Sequence, residues 1–202
     1  MNIRLALWTL LICVLGGVSV AFFLKNRPAL AALPVVKSVP DFSLAGHDGN
    51  PIALKDLKGK VWAADFFFAS CSGICPTMQK NLTQAHKAFA KEPNFRMLSI
   101  TVDPERDTVE ILSEYSKNWD ADAKGWLFVT GDRKAIYQLA RHGFLLTAEP
   151  APKGEDGGPD DFIHSEKTAL VDKKGQIRGY YDATNPEAVK QMIKDARGLL
   201  AE

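Results

Sequence analysis

Two cysteines four positions apart are the residues of this sequence best suited to chemistry. The stretch FFFASCSGICPTM, residues 66–78, contains Cys71 and Cys75, and Pro76 follows the second cysteine directly. Two thiols at this spacing can exchange electrons, close a structural disulfide or bind a soft metal ion. Thioredoxin-type exchange usually has two residues between the cysteines, whereas three are present here. The longer loop can still close a disulfide, and it also lets both sulfur atoms reach one external atom.

A third metal ligand would come from one of the four histidines. His47 lies in the turn sequence HDGN and is expected to be solvated, and His86 is expected on the exposed side of a helix. His142 fits a helix C-terminus, where a protonated imidazole complements the helix dipole. His164 follows an acidic loop and directly precedes a predicted strand, the place where thioredoxin-like folds usually carry a cis-proline facing the cysteine-bearing helix. His164 is therefore the candidate ligand.

Two thiolates and one imidazole, from Cys71, Cys75 and His164, suit copper. Thiolates select Cu(I), zinc and iron–sulfur centres, and imidazole binds copper and zinc well. Three ligands are too few for a closed structural zinc site, which normally has four. They satisfy three-coordinate Cu(I), and an additional weak ligand would serve Cu(II). The residues therefore predict a copper site, for Cu(I) or Cu(II).

The N-terminal segment predicts a membrane anchor. Residues 5–24 contain no charge and are flanked by Arg4 on one side and by Lys25 and Arg27 on the other. Twenty helical residues span roughly 30 Å, the thickness of a bilayer core, whereas a cleavable signal peptide has an apolar region of about 7–15 residues. An uncleaved anchor is the prediction, and cleavage is the alternative. No organellar presequence is recognisable, so we expect a single-pass protein of a bacterial cell membrane, with its domain facing the periplasm or cell exterior.

The remaining chain has the size of one domain. We assign residues 1–33 to the anchor and the start of a tether, and residues 34–202 to the domain. The whole chain carries 25 basic and 24 acidic residues without a basic run, so nucleic acid is not expected as a partner. Only Cys71 and Cys75 fall within the domain, which is too sparse for a disulfide scaffold. The pair is therefore interpreted as functional.

Strands and helices alternate in a way that positions the cysteines. The apolar run at 61–69 predicts a strand buried on both faces, and Pro76 fits the first turn of the following helix. Cys75 would then be the helix N-cap, where unpaired amides favour the thiolate forms of the pair. Further strands are predicted at 95–103 and 125–130, further helices at 107–119, 131–144 and 185–200, hairpins at 41–54 and 167–183, and a surface loop at 149–161.

These elements predict an α/β fold, a thioredoxin-like sandwich with an N-terminal β-hairpin extension, preceded by one transmembrane helix. The second predicted strand-to-helix turn is polar. Asp103, Arg106 and Asp107 are expected to hold this turn through an Asp–Arg pair and an Asp107 N-cap. Asp132 is likewise expected to open a helix. A buried strand thus delivers the cysteine pair to the start of the first long helix.

Four motifs in order resemble the SCO/SenC family of copper-binding, membrane-anchored thioredoxin-like proteins: CSGICP (71–76), TVDPERDT (101–108), VTGD (129–132) and FIHS (162–165). The resemblance implies that Cys71, Cys75 and His164 are metal ligands. It also implies copper delivery to the dinuclear copper centre of cytochrome c oxidase, with thiol–disulfide exchange in some members. Ser72 and Gly73 stand where a common form of the motif has proline and aspartate, and Gly73 should make the loop more flexible.

Three functions are compared on this basis. The leading hypothesis is a copper metallochaperone that turns over no small substrate and passes copper to the copper-centre subunit of the oxidase. Its other partners would include copper chaperones or thiol–disulfide proteins. The alternative is an envelope thiol–disulfide reductase, in which Cys71 attacks and Cys75 resolves. A peroxiredoxin-like peroxidase is suggested by the opening hairpin but disfavoured, because ASCSGICP does not resemble the peroxidase cysteine motif.

Overall fold

A computed structural model describes most of the chain: Cys13, Gly16, Gly17, residues 33–146, Asp156, Gly157, Ile163 and residues 165–202. The chain divides into two units, Met1–Ala32 and Leu33–Glu202. No helix within the described part combines the length and apolar character needed to cross a bilayer. The predicted anchor at 5–24 lies outside the described residues except for Cys13, Gly16 and Gly17, which are helical and exposed. His164 and all of the predicted loop 149–161 except Asp156 and Gly157 also lie outside them.

The second unit contains a mixed eight-stranded sheet among its described residues. The strands are β1 Lys37–Ser38, β2 Ser43–Gly46, β3 Pro51–Ala53, β4 Val61–Phe67, β5 Phe95–Thr101, β6 Trp126–Thr130, β7 Lys167–Val171 and β8 Gln176–Asp182. Along the sheet they follow the order β1-β8-β7-β4-β5-β6-β2-β3. β4 pairs in parallel with β5, and β5 in parallel with β6, while the other neighbours are antiparallel.

Helices cover both faces of this sheet. Alternate residues of β4 belong to different cores, since Trp62, Ala64 and Phe66 point to one and Val61, Ala63 and Phe67 to the other. The helices are α1 Leu54–Leu57, α2 Cys75–Ala88, α3 Val109–Lys117, α4 Arg133–Gln138, the π-helix Leu139–Gly143 and α5 Pro186–Ala201. The first core is covered by α1, α4 and the π-helix, and the second by α2, α3 and α5. The predicted burial of β4 on both faces is confirmed.

Two predicted helix N-caps are each wrong by one residue. Cys75 is the first residue of α2 and Ile74 is its N-cap, so Cys75 lies inside the helix and not before it. The N-cap of α3 is Thr108, whose hydroxyl accepts from the Ile111 N–H, and not Asp107. The Asp107 carboxylate does not cap the helix, because it accepts hydrogen bonds from Ala69 and Thr101 instead. Asp132 does open α4 as predicted, since it accepts from the Ala135 N–H at 2.8 Å.

Both predicted hairpins are present, β2–β3 and β7–β8, but two histidines are placed differently from the prediction. His47 is buried, because the hairpin folds back onto β6 and its Nδ1 accepts from the Phe128 N–H at 3.0 Å. His86 is largely buried against the Trp126 ring, with its Nε2 at 3.2 Å from the Asp120 carbonyl. Both histidines therefore have structural roles, packed against residues of β6.

Candidate metal and redox centre

The cysteine pair lies where β4 leaves the sheet. The last pair of the β4–β5 register joins Phe67 to Thr101, and the Val102 N–H donates to the Phe67 carbonyl at 2.8 Å. The chain then turns, and the Cys71 N–H donates to the Phe68 carbonyl at 3.2 Å. We call residues 68–74 the cysteine loop. The loop ends at α2, which begins with Cys75, so one cysteine lies in the loop and the other in the helix.

The two thiols are free but unequally exposed. Cys71 is half-buried, whereas Cys75 is 4% exposed and belongs to the core beneath α2. A side chain added at Gly73 would meet the sulfur of Cys71 at 3.9 Å, an ordinary contact distance. A larger residue would therefore fit at position 73 without a steric clash. Its effect on the loop is the greater conformational freedom of a residue without Cβ.

The two thiols also differ in acidity, and the more exposed thiol, Cys71, is the more acidic. Burial disfavours the Cys71 thiolate, but hydrogen bonds from the Cys75 thiol and from the amides of Cys75, Gly73 and Ile74 outweigh it and lower the pKa of Cys71. Burial, together with donation of its S–H to Cys71, raises the pKa of Cys75 to about 12. The prediction that both thiolates are stabilised is right for Cys71 and wrong for Cys75. The helix amides favour the sulfur in the loop, and the sulfur inside the helix keeps its proton.

A buried carboxylate, Asp107, supports the loop. Its Oδ2 accepts from the Ala69 N–H at 2.9 Å and from the Thr101 hydroxyl at 2.5 Å. Burial raises the pKa of Asp107 above its usual value, and these two hydrogen bonds offset only part of that rise. The predicted Asp–Arg pair of the same turn is present, with Arg106 at 3.4 Å from Asp103. The sequence predicts only a capping role for Asp107, and its contact with the loop has no local signal in the sequence.

A second buried carboxylate, Asp65, lies in β4 beneath α2. It accepts from the Gln79 amide at 2.9 Å and from the Ser99 hydroxyl at 2.7 Å. Complete burial raises the pKa of Asp65 to about 6, although both hydrogen bonds oppose the rise. Its charge in turn raises the pKa of Cys75. Asp65 is not among the predicted site residues, although the sequence carries a signal for it, since it is the lone acidic residue in an otherwise apolar strand.

The third predicted ligand, His164, lies outside the described residues, but its neighbours do not. Ile163 is 4% exposed and belongs to the first core, and Ser165 is 6% exposed. β7 begins soon afterwards at Lys167 and pairs antiparallel with β4, with Ala169 opposite Ala64. The described chain before β7 therefore reaches the end of β4 from which the cysteine loop departs.

The described histidines are engaged elsewhere. His47 contacts Phe128, His86 contacts Asp120, and His142, at the predicted helix end, lies 3.1 Å from Asp156. Within the described residues, no group of three or more His, Cys, Asp and Glu side chains is arranged to hold a metal ion. Cys71 and Cys75 are thus brought together, and the His164 assignment stays a prediction.

Comparison with known proteins identifies the family. The sequence profile of the SCO1/SenC family matches residues 33–201. The chain is 31% identical over 166 residues to the SCO1 protein homolog of Bacillus subtilis (strain 168), covering 81% of this chain and 83% of that protein. It is 29% identical over 166 residues to the mitochondrial SCO2 homolog of Mus musculus, covering 80% of this chain but only 62% of that longer protein.

Solved structures share the fold. BsSco, a member of the Sco family of cytochrome c oxidase assembly proteins in which a disulfide switch has been identified, is 29% identical with a TM-score of 0.69, covering 83% of this chain and 96% of that one. Bradyrhizobium japonicum ScoI, solved with copper bound, is 23% identical with a TM-score of 0.64, covering 81% of this chain and 99% of that one. These neighbours confirm the predicted thioredoxin-like α/β fold, and the chain belongs to the SCO1/SenC family.

Proposed function

We propose that this protein is a copper metallochaperone that binds Cu(I) or Cu(II) through Cys71, Cys75 and His164. It would deliver the metal to the copper-centre subunit of a respiratory cytochrome c oxidase. The observation that carries this proposal is the unequal thiol pair at the β4–α2 junction, beside the end of the sheet where β7 begins just after His164. The membership of BsSco in a family of oxidase assembly proteins and the copper bound in ScoI support it.

The unequal thiols suit a ligand that must both take up and release a soft ion. Cys71 is the more exposed and more acidic thiol, so it supplies a thiolate to incoming copper first. Cys75 holds its proton until the metal displaces it, because a thiol must be deprotonated to act as a ligand. An imidazole from His164 would complete three ligands. Transfer would follow by stepwise ligand exchange with the receiving subunit.

The same geometry also favours a second function, thiol–disulfide reduction. The Cys71 thiolate would attack one sulfur of a target disulfide and form a mixed disulfide, expelling the other target sulfur as a thiolate. Cys75 would then lose its proton and attack Cys71, releasing the target as a dithiol and leaving a Cys71–Cys75 disulfide. The target gains two electrons and the pair loses two. The disulfide switch identified in BsSco favours this alternative, whose partners would be thiol–disulfide proteins of the envelope.

The location belongs to the proposal as well. A single membrane anchor at residues 5–24 would hold the domain on the outer side of a bacterial cell membrane. The two functions share this location and Cys71 and Cys75. They differ in their use of His164, which is indispensable for a three-ligand copper site and dispensable for disulfide exchange.

His164→Ala in cells grown at limiting copper tests the metallochaperone function. We expect stable copper binding to be lost and the oxidase copper centre to stay unassembled, with recovery when copper is added. Cys71→Ser and Cys75→Ser should fail in the same assay, and His142→Gln is the matched control because His142 is exposed and contacts Asp156 instead. Normal assembly in His164→Ala at limiting copper would overturn the metallochaperone proposal in favour of disulfide reduction.

A further inference from the structure

Inside the cysteine loop, the backbone amide of Ala69 donates to a side chain and not to a neighbouring strand. β4 and β5 are paired up to Phe67 and Thr101, and the Phe67 carbonyl accepts from the Val102 N–H. Two residues beyond Phe67, the Ala69 N–H donates to Oδ2 of Asp107 at 2.9 Å. Ala69 is partly buried, and the Asp107 carboxylate supplies an acceptor for its amide where the strand partner has ended.

Asp107 is itself held in place by several contacts. It is 2% exposed, and the oxygen that binds Ala69 also accepts from the Thr101 hydroxyl. Its own N–H donates to the Asp103 carbonyl at 2.8 Å, and the Asp103 N–H donates to the Thr101 hydroxyl at 3.0 Å. This ring of bonds joins the end of β5, the turn before α3 and the cysteine loop. These contacts hold the Asp107 carboxylate in one position, where it accepts from the Ala69 N–H of the loop.

The two cysteines have separate supports. Cys75 is set by α2, and one turn further along that helix Gln79 donates to Asp65 in β4. Cys71 is in the loop and follows Ala69 by two residues, so the Asp107 anchor limits where the Cys71 sulfur can stand. Contact with β4 alone would not fix Cys71, since the strand has ended four residues before it.

We propose that Asp107 is a positioning residue of the Cys71–Cys75 site, whose buried carboxylate holds the cysteine loop at Ala69 and so sets Cys71 against Cys75. For copper binding this inference rests on the proposed function, but for disulfide closure it does not. Preorganised ligands bind metal more tightly, and residues supporting a ligand typically contribute about 10–100-fold in affinity. Preorganised thiols also close a disulfide more readily, because less conformational freedom is lost on closure.

The test compares three variants of the full-length protein in detergent. Asp107→Ala removes the acceptor, and Asp107→Asn restores an oxygen of the same shape without the charge. Asp172→Ala is the control, since Asp172 is 5% exposed and holds the amides of Lys174 and Gln176 in the β7–β8 turn. That turn is at the opposite end of the sheet from the cysteine loop, so the control reports loss of stability without disturbance of the loop.

Two equilibria are measured: Cu(I) affinity by competition with a chromogenic chelator, and the dithiol–disulfide constant against glutathione. We expect Asp107→Ala to lower the Cu(I) association constant about 10–100-fold and disulfide closure about 10-fold, with substantial rescue in Asp107→Asn. Asp172→Ala should leave both constants at the wild-type value even where it lowers the unfolding temperature. If Asp107→Ala does not fold, Thr101→Val, which frees the carboxylate on one side, should lower both constants by a smaller factor.

Wild-type constants in a folded Asp107→Ala, or equal losses in Asp107→Ala and Asp172→Ala, would overturn the positioning role. Absence of tight Cu(I) binding by the wild-type protein would overturn the proposed copper function instead. In that event the glutathione equilibrium alone decides whether Asp107 positions the pair.

Discussion

Replacing Asp65 by asparagine should stabilise the protein at neutral pH. Asp65 is fully buried in β4, and its pKa is raised from 3.8 to about 6. The folded protein therefore holds a proton at Asp65 between these two values, whereas the unfolded chain has released it. The contribution of this carboxyl to stability is fully present below pH 3.8 and is lost as the pH rises through 6.

The size of the loss follows from the difference between the two pKa values. At about 1.36 kcal/mol per pH unit, ionisation of Asp65 costs the folded state about 3 kcal/mol at neutral pH. Asparagine has the same shape and no charge to bury. Its oxygen can accept from Ser99, and its NH₂ group can donate to the Gln79 carbonyl after a flip of that amide. Asp65→Asn should therefore be more stable than wild type by up to about 3 kcal/mol at pH 7.5, and about equal to it near pH 4.

Urea unfolding of the reduced, metal-free protein at several pH values from 4 to 7.5 measures this difference. Ser99→Ala is the companion variant, because it removes a hydrogen bond that favours the charged carboxylate. Because Asp65 would keep its proton to a higher pH in Ser99→Ala, this variant should lose more stability than wild type between pH 4 and 7.5. Parallel pH dependences for wild type and Asp65→Asn would refute the argument, since they would show that Asp65 does not titrate in this range.

Three further predictions concern the thiols, a helix cap and the anchor. Iodoacetamide at pH 7.5 should label Cys71 well before Cys75, read by mass spectrometry of the digested protein, and equal rates would contradict the unequal pKa values. Thr108→Ala should lower the unfolding free energy by about 1 kcal/mol through loss of the α3 N-cap, measured by chemical unfolding; an unchanged value would remove that role. The intact protein should stay in membranes after a high-salt wash, and recovery of a soluble form beginning near residues 31–33 would favour cleavage.

The elements that the sequence predicts best are those with a strong local pattern. The apolar run of β4, the two hairpins and the helix opened by Asp132 all carry their signal within a few residues. The thioredoxin-like arrangement follows from their order, because alternating strands and helices place three parallel strands, β4, β5 and β6, next to one another in the sheet.

What the sequence does not predict depends on contacts between distant residues. Asp107 looks like an N-cap because it precedes a helical pattern, but its carboxylate is occupied by Ala69, which is 38 positions away. His47 looks like a turn residue, and its burial results from the fold of the hairpin over β6. The high pKa of Cys75 depends on how deeply the start of α2 is packed, which no spacing of cysteines reveals.

The unequal thiols also constrain how the two proposed functions relate. Copper binding needs both sulfurs as thiolates, and the proton on Cys75 must leave, so affinity should fall as the pH is lowered. Disulfide closure between Cys71 and Cys75 consumes the same two sulfurs. A single pair cannot hold copper through both thiolates and be a disulfide at once, so the redox state of the pair would determine whether the site accepts metal. In this proposal delivery and disulfide exchange would be alternative states of one site, and His164 would be the residue that separates them.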